Sequence, residues 1–194
     1  MELDLIVGSG GVLSHAPRRE QSAKMLIDSF MPQGITELAV DSIFMMPQLG
    51  VLANVDKKDF SEKAREAALE VFHKDCLIRL GTCIAPVGKS KPGDIVLKAK
   101  LEMPDGNIIE KNIMKNQILR IKVPYEPVNA TLKPLNSVDI GSGIGQEVKT
   151  KIYGGTVGLI FDGRDRPISV PNKESERLEA LNAWSNALDE YPKL

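Results

Sequence analysis

The 194 residues carry a formal charge of −1, with 42% apolar and 26% charged residues, a balance ordinary for a globular chain. Near-neutral charge gives no electrostatic case for nucleic acid or an anionic membrane surface. One Trp, three Tyr and five Phe are too few for a base-stacking platform, and no apolar run approaches the ~18 residues of a membrane span.

Leu3–Val7 reads as a buried strand that runs into Gly8-Ser9-Gly10-Gly11, a glycine-rich turn opening a helix. Three glycines in four residues allow backbone conformations that a side chain forbids, and they let another group come close. Two uses fit that pattern. A phosphate or nucleotide suits the unpaired N–H groups of a helix start; a tight strand-to-helix connection needs no ligand at all. Pro17 fits a first helical turn, and the spacing of Ala23, Leu26, Ile27 and Phe30 predicts a helix over 17–30 with one buried face. Arg18, Arg19 and Lys24 stand in or just after its first turn. Their readings are a phosphate grip or a solvated face, and the solvated face is favoured.

Ile35–Val40 reads as a strand, and Asp41 and Ser42 as N-cap residues of a short helix over Ile43–Met46. Pro47 and Gly50 then interrupt or end it. Asp59 or Ser61 caps a further helix to about His73, with Ala64, Ala67, Ala68, Val71 and Phe72 as its apolar side. His73 reads as a favourable charge at the negative end of that helix. Cys76 and Cys83, seven apart and without a Cys-x-x-Cys, exclude the common zinc signatures. They read as buried reduced thiols of a cytoplasmic protein.

From Cys76 the character turns towards strands. Cys76–Pro86 is strand-like, and Gly88-Lys89-Ser90 lacks both the leading glycine and the following helix of a P-loop. Ile95–Leu101 and Ile108–Met114 flank Pro104-Asp105-Gly106, a hairpin signal; Gln117–Val123 supplies another strand. Lys98, Lys100, Lys111, Lys115 and Lys122 read as residues that blunt sheet edges. A short strand is expected over Asn129–Leu132. Gly141–Gly145, headed by Asp139, is a candidate second anion loop, although it leads into a strand and carries no helix dipole. Glu147–Tyr153 and Thr156–Phe161 read as a hairpin joined by Gly154-Gly155. Asn172–Tyr191 reads as an amphipathic helix packing through Leu178, Leu181, Ala183, Trp184, Ala187 and Leu188, and ended by Pro192.

Several of these stretches together resemble one family. Gly8–Arg19, Glu37–Leu52, Gly81–Gly88, Val138–Gly141 and Gly154–Arg164 are similar to the glutamate mutase accessory proteins called MutL, which are unrelated to the mismatch-repair protein of that name. The matches cover nearly the whole chain and are weakest around 89–135. The resemblance implies the C-terminal part of an actin/Hsp70-like ATPase lobe (residues 1–75) followed by a β-rich domain (76–194) closed by the helix 172–191. It implies an accessory or reactivating chaperone role towards the subunits of an adenosylcobalamin-dependent mutase, of glutamate mutase or aminomutase type. In such lobes a strand–Gly-Gly–helix unit meets the adenosine end of ATP. Gly10 and Gly11 match that unit, and Gly8, Ser9, Ser14 and Arg18 are its neighbours here; Met46–Leu52 resembles the helix that closes the lobe.

The first phosphate loop of that fold, Asp-x-Gly-x-Thr, has no counterpart, so the chain reads as part of a longer protein. ATP or ADP is expected in that parent, and no ATPase activity in this chain alone, since phosphoryl transfer needs the missing electrostatic clamp. A catalytic residue is not assigned. Two rivals stand beside this reading: a fragment of a sugar-kinase-like enzyme, and a protein-binding module that never meets nucleotide.

Overall fold

A computed structural model describes residues 3–54 and 61–190. The chain begins with β1 (Leu5–Gly8), the one-turn α1 (Gly11–Ser14), α2 (Arg19–Phe30) and β2 (Gly34–Asp41). Next come α3 (Met46–Ala53), α4 (Ser61–Val71), a π-helical turn (Phe72–Cys76), β3 (Leu77–Ala85) and β4 (Val87–Gly88). The remainder is β5 (Ile95–Glu102), β6 (Ile108–Met114), β7 (Ile118–Ile121), β8 (Pro127–Pro134), β9 (Val138–Asp139), β10 (Val148–Tyr153), β11 (Leu159–Asp162) and α5 (Glu174–Leu188).

Three layers result. A five-stranded mixed sheet has the order β1-β2-β3-β11-β7, with β1–β2 and β3–β11 parallel and the other pairs antiparallel. Ala23, Leu26 and Ile27 of α2 and Trp184 and Leu188 of α5 bury one face of it against Leu38, Val40, Leu80 and Ile160. The other face packs through Ile84, Leu159 and Phe161 onto the antiparallel sheet β10-β8-β5-β6, whose Leu97, Leu101, Leu132 and Ile152 point inward. Thr82 binds the layers together, donating to the carbonyl of Tyr153 at 2.7 Å and accepting its N–H at 3.2 Å. A smaller core of Leu49, Ala68 and Cys76 joins α3, α4 and the π-helical turn. The boundary expected near residue 75 therefore falls inside one sheet: β1 and β2 precede it, and β3, β7 and β11 follow. The C-terminal helix rests on that same sheet beside α2.

Several expectations change. The helix over 17–30 starts at Arg19, because Pro17 sits in a bend and Arg18 is the N-cap, its N–H bonded to Gln21 Oε1 at 3.1 Å. Phe30 is 54% exposed. The helix expected over 43–46 forms at Met46–Ala53 instead; Pro47 lies in its first turn, where a missing N–H costs nothing, and Gly50 is tolerated inside it. Ala67 and Val71 are exposed on α4, and the Asp59 cap lies outside the described residues. On α5, Leu178 and Ala183 face solvent, the helix ends at a left-handed Asp189, and Pro192 lies outside the described residues.

The predicted hairpin over 147–161 does not exist. β10 pairs with β8 in one sheet while β11 lies between β3 and β7 in the other. Gly154-Gly155 is where the chain crosses between sheets, close enough to the Pro124 and Leu80 backbones that a Cβ would meet them at 2.0 and 2.5 Å. Close approach needs glycine as much as a turn does. Lys98 and Lys100 are no edge guards either, because β5 is an interior strand. The predicted hairpin over 95–114 forms as β5–β6.

Candidate functional site

Gly8 ends β1 with a job in the core: a Cβ there would meet Leu13 Cδ1 at 2.8 Å and Leu26 Cδ2 at 3.0 Å. Gly10 has φ +110, a left-handed conformation that L side chains avoid, and nothing stands within 4 Å of where its Cβ would be. Gly11 is exposed, with only the Phe44 ring at 4.0 Å from such a Cβ. The turn thus opens its backbone to solvent at Gly10-Gly11. It leads into a helix of a single turn, and α2 starts eight residues later at Arg19, so no long helix dipole points at the opening.

Asp41 organises what lies behind. The residue is fully buried at the end of β2. Its Oδ1 accepts the N–H of Met45 at 3.2 Å; its Oδ2 accepts the N–H of Met46 at 3.0 Å and the hydroxyl of Ser9 at 3.2 Å. One carboxylate thus ties the glycine turn to the start of α3. Ser14, also buried, donates to the Asp41 carbonyl at 2.5 Å, and Ser22 to the Leu13 carbonyl at 2.8 Å. Ser9 and Ser14 are therefore turned inward and shape the turn. Among the sequence-selected residues, Gly10 and Gly11 face the open side, and exposed Arg18 caps α2. The nearby cations were read as a solvated face, but Arg19 and Lys24 are half-buried and are engaged within the chain. Arg19 Nη1 donates to the Ser14 carbonyl at 2.9 Å, satisfying the end of α1, and Lys24 pairs with Asp28 at 2.5 Å.

Asp41→Ala is expected to destabilise the chain by about 1–3 kcal/mol, since two backbone N–H groups and a hydroxyl lose a buried acceptor. Urea unfolding measures the loss, and hydrogen exchange at Met45 and Met46 should accelerate with it. A loss confined to global stability, with those two amides unchanged, would contradict the tie.

The second anion loop is already filled by the chain itself. Asp139 Oδ1 accepts the N–H groups of Gly141 at 2.7 Å, Ser142 at 3.1 Å and Gly143 at 3.0 Å. Burial alone would push its carboxyl up, but these backbone donors outweigh it and hold Asp139 below the ordinary carboxylate range. Donors spent on an internal carboxylate leave no anion site. Both cysteines are buried and free; burial, with Asp162 next, pushes the Cys83 thiol up to about 12, and burial with Asp41 raises that of Cys76. Such thiols are poor nucleophiles. His73 belongs to the π-helical turn, its Nδ1 3.5 Å from Arg79 Nη2.

Residues 162–167, for which the sequence predicted no site, hold a buried ionic cluster. Arg164 donates through Nε and Nη2 to Asp162 at 2.8 and 2.9 Å, and meets Asp28 of α2 at 2.8 Å. Arg166 reaches Asp162 at 2.8 Å and the Pro32 carbonyl at 3.0 Å. The Arg164 guanidinium lies 5.0 Å from the centre of the Trp184 ring. The alternation of acid and arginine in Asp162-Gly163-Arg164-Asp165-Arg166 was its only signal. Among the described residues no group of three or more acidic, His or Cys side chains is placed to hold a metal, and no helix is long and apolar enough to cross a membrane.

Comparison with known proteins adds one match. Residues 1–76 match the model of a family described as MutL protein, the glutamate mutase family and not the mismatch-repair one. No curated protein and no solved structure matches the chain. The matched segment holds the whole glycine turn, Asp41, α3 and α4.

Proposed function

We propose, on the premise that residues 1–76 belong to the glutamate mutase MutL family, that this chain serves an adenosylcobalamin-dependent mutase as an accessory, reactivating component. Its glycine turn is the adenosine-side half of an ATP or ADP site in a longer actin-like ATPase. The family match carries the mutase association. The nucleotide half rests on Gly10-Gly11, whose backbone stands open, with space where a Cβ would project. Asp41 does not spoil that fit. Its charge is sealed behind the turn by three hydrogen bonds. Nucleotide, when bound, supplies a conformational signal. This chain's residues hold one side of it through the Gly10-Gly11 backbone, and the turn keeps its shape through Ser9, Ser14 and Asp41.

Immobilised mutase subunits, with and without adenosylcobalamin, test the association: the purified chain is expected to be retained and to co-elute in gel filtration. Failure in both cobalamin states removes the accessory reading. ADP titration of the assembled ATPase tests the nucleotide half separately, and Gly10→Val should abolish binding there while leaving mutase retention intact. Retention without any nucleotide effect would favour the plain binding module.

A further inference from the structure

A cavity of about 750 Å³ opens where the π-helical turn runs into β3, within the ~300–1,000 Å³ typical of small-molecule sites. Leu77, Ile78, Pro124 and Tyr125 give it apolar walls, and His73, Lys74 and Arg79 stand among them. Leu77 pairs with Asp41 across the β2–β3 ladder, so the cavity shares the sheet end that carries the glycine turn. It is a separate site, formed largely by residues beyond the family match. Two backbone irregularities build it. The π-helical turn presents His73 and Lys74, and a bulge that leaves Leu80 without a partner on β2 re-aims Arg79. Irregularities of both kinds concentrate at binding sites.

Tyr125 is 52% exposed yet held in place, with its ring 5.6 Å from that of Tyr153 at 29° and the Arg79 guanidinium 5.9 Å away. The exposed part of this braced ring is left for an aromatic ligand to pack against. Arg79 bonds Glu37 through one Nη at 2.7 Å, and Lys74 bonds Glu70 at 2.5 Å. A guanidinium has five N–H donors and an ammonium three, so each retains donors to offer. Among the described residues no Asp or Glu lines the cavity. Apolar walls, a braced aromatic ring and cationic donors with no described carboxylate in the lining define the complement.

We propose that this cavity binds a small molecule consisting of a planar ring that bears one acidic group, a carboxylate or a phosphate. The ring lies against Tyr125, Pro124 and Leu77, and the acidic group is received by Arg79, Lys74 and His73. This assignment is independent of the accessory reading.

The ¹⁵N-labelled full chain, titrated with phenyl phosphate, benzoate, benzamide and inorganic phosphate, tests it through the amide shifts of Ile78, Arg79, Tyr125 and Thr156. Saturable shifts are expected with an acidic aromatic probe at about 1 mM, ordinary for a ligand of so few atoms. The stronger of phenyl phosphate and benzoate identifies the acidic group. Tyr125→Ala should weaken binding about three- to tenfold, and Lys74→Gln, at an exposed position that does not threaten the fold, should weaken it in the same direction. Benzamide binding as well as the acids, inorganic phosphate binding as well as phenyl phosphate, no saturable shift at these amides, or wild-type affinity in both variants would each overturn the assignment.

Discussion

Asp162→Ala is expected to destabilise the chain by about 3–5 kcal/mol, the cost of leaving buried charge without its partner. Asp162 is fully buried, and the side chains of Arg164 and Arg166 are 2% and 1% exposed. Removing the carboxylate leaves Arg164 with Asp28 alone and Arg166 with backbone carbonyls alone. Trp184, the single tryptophan, stacks on Arg164 and donates to the Asn116 carbonyl at 2.8 Å, so its fluorescence reports the cluster during urea unfolding. A loss below about 1 kcal/mol would show the pairs to behave as exposed ones do.

The same carboxylate governs acid stability. Burial alone would raise its pKa, but the hydrogen bonds and charges of Arg164, with the charge of Arg166, outweigh burial and hold it below the ordinary value. A folded-state pKa below the unfolded one contributes stability that is complete above the unfolded value, about 3.9, and is lost as pH falls through the folded one. Unfolding midpoints are therefore expected to hold from neutral pH to about 5 and to fall below about 4. Asp162→Asn should flatten that fall. An unchanged acid limb in the variant would assign the fall to other carboxylates, of which Asp139 has the same sign.

The parts of the fold legible in the sequence are those whose determinants lie close together in the chain. The β5–β6 hairpin is one: Pro104-Asp105-Gly106 and two alternating strands contain all it needs. The glycine turn is another, recognisable as a strand running into unusual backbone. Its supporting Asp41 was read as the N-cap of a helix over Ile43–Met46; the N-cap is Met45, and Asp41 accepts the Met46 N–H from five residues before the helix. Glycine pairs proved ambiguous because a hairpin and a close crossing ask for the same missing Cβ. Gly154-Gly155 has the second use, set by Leu80 and Pro124 far away in the chain. The ionic cluster was illegible for a related reason. Asp28 and Pro32 meet Arg164 and Arg166 across more than a hundred residues, and no local pattern announces such partners. The cavity beside Tyr125 depends on a π-helical turn and a bulge, neither of which leaves a periodic signature.

Gly81→Ala, the second large expectation, follows from the crossing that holds the two halves of the central sheet together. Gly81 sits in β3 at φ +136, and a Cβ there would lie 1.8 Å from the Gly158 carbonyl oxygen and 2.8 Å from its carbon. Both neighbours are backbone, so no side chain can swing aside. Val157 and Gly158 also donate to the Leu80 carbonyl at 2.8 and 3.1 Å, so separating the strands to admit a methyl breaks the bonds that seat the chain before β11. Strain in φ and steric overlap act together, and a loss of about 4 kcal/mol or more is expected, enough to unfold many domains. Gly50→Ala supplies the contrast. Gly50 lies inside α3 with nothing within 4 Å of a Cβ and no left-handed φ, so alanine should stabilise by about 0.5–1 kcal/mol through helix propensity alone. Urea midpoints read by Trp184 fluorescence separate the two. Equal, mild effects would mean that the β3 crossing is loose enough to admit a side chain, and the tight seating of β11 against β3 would then be wrong.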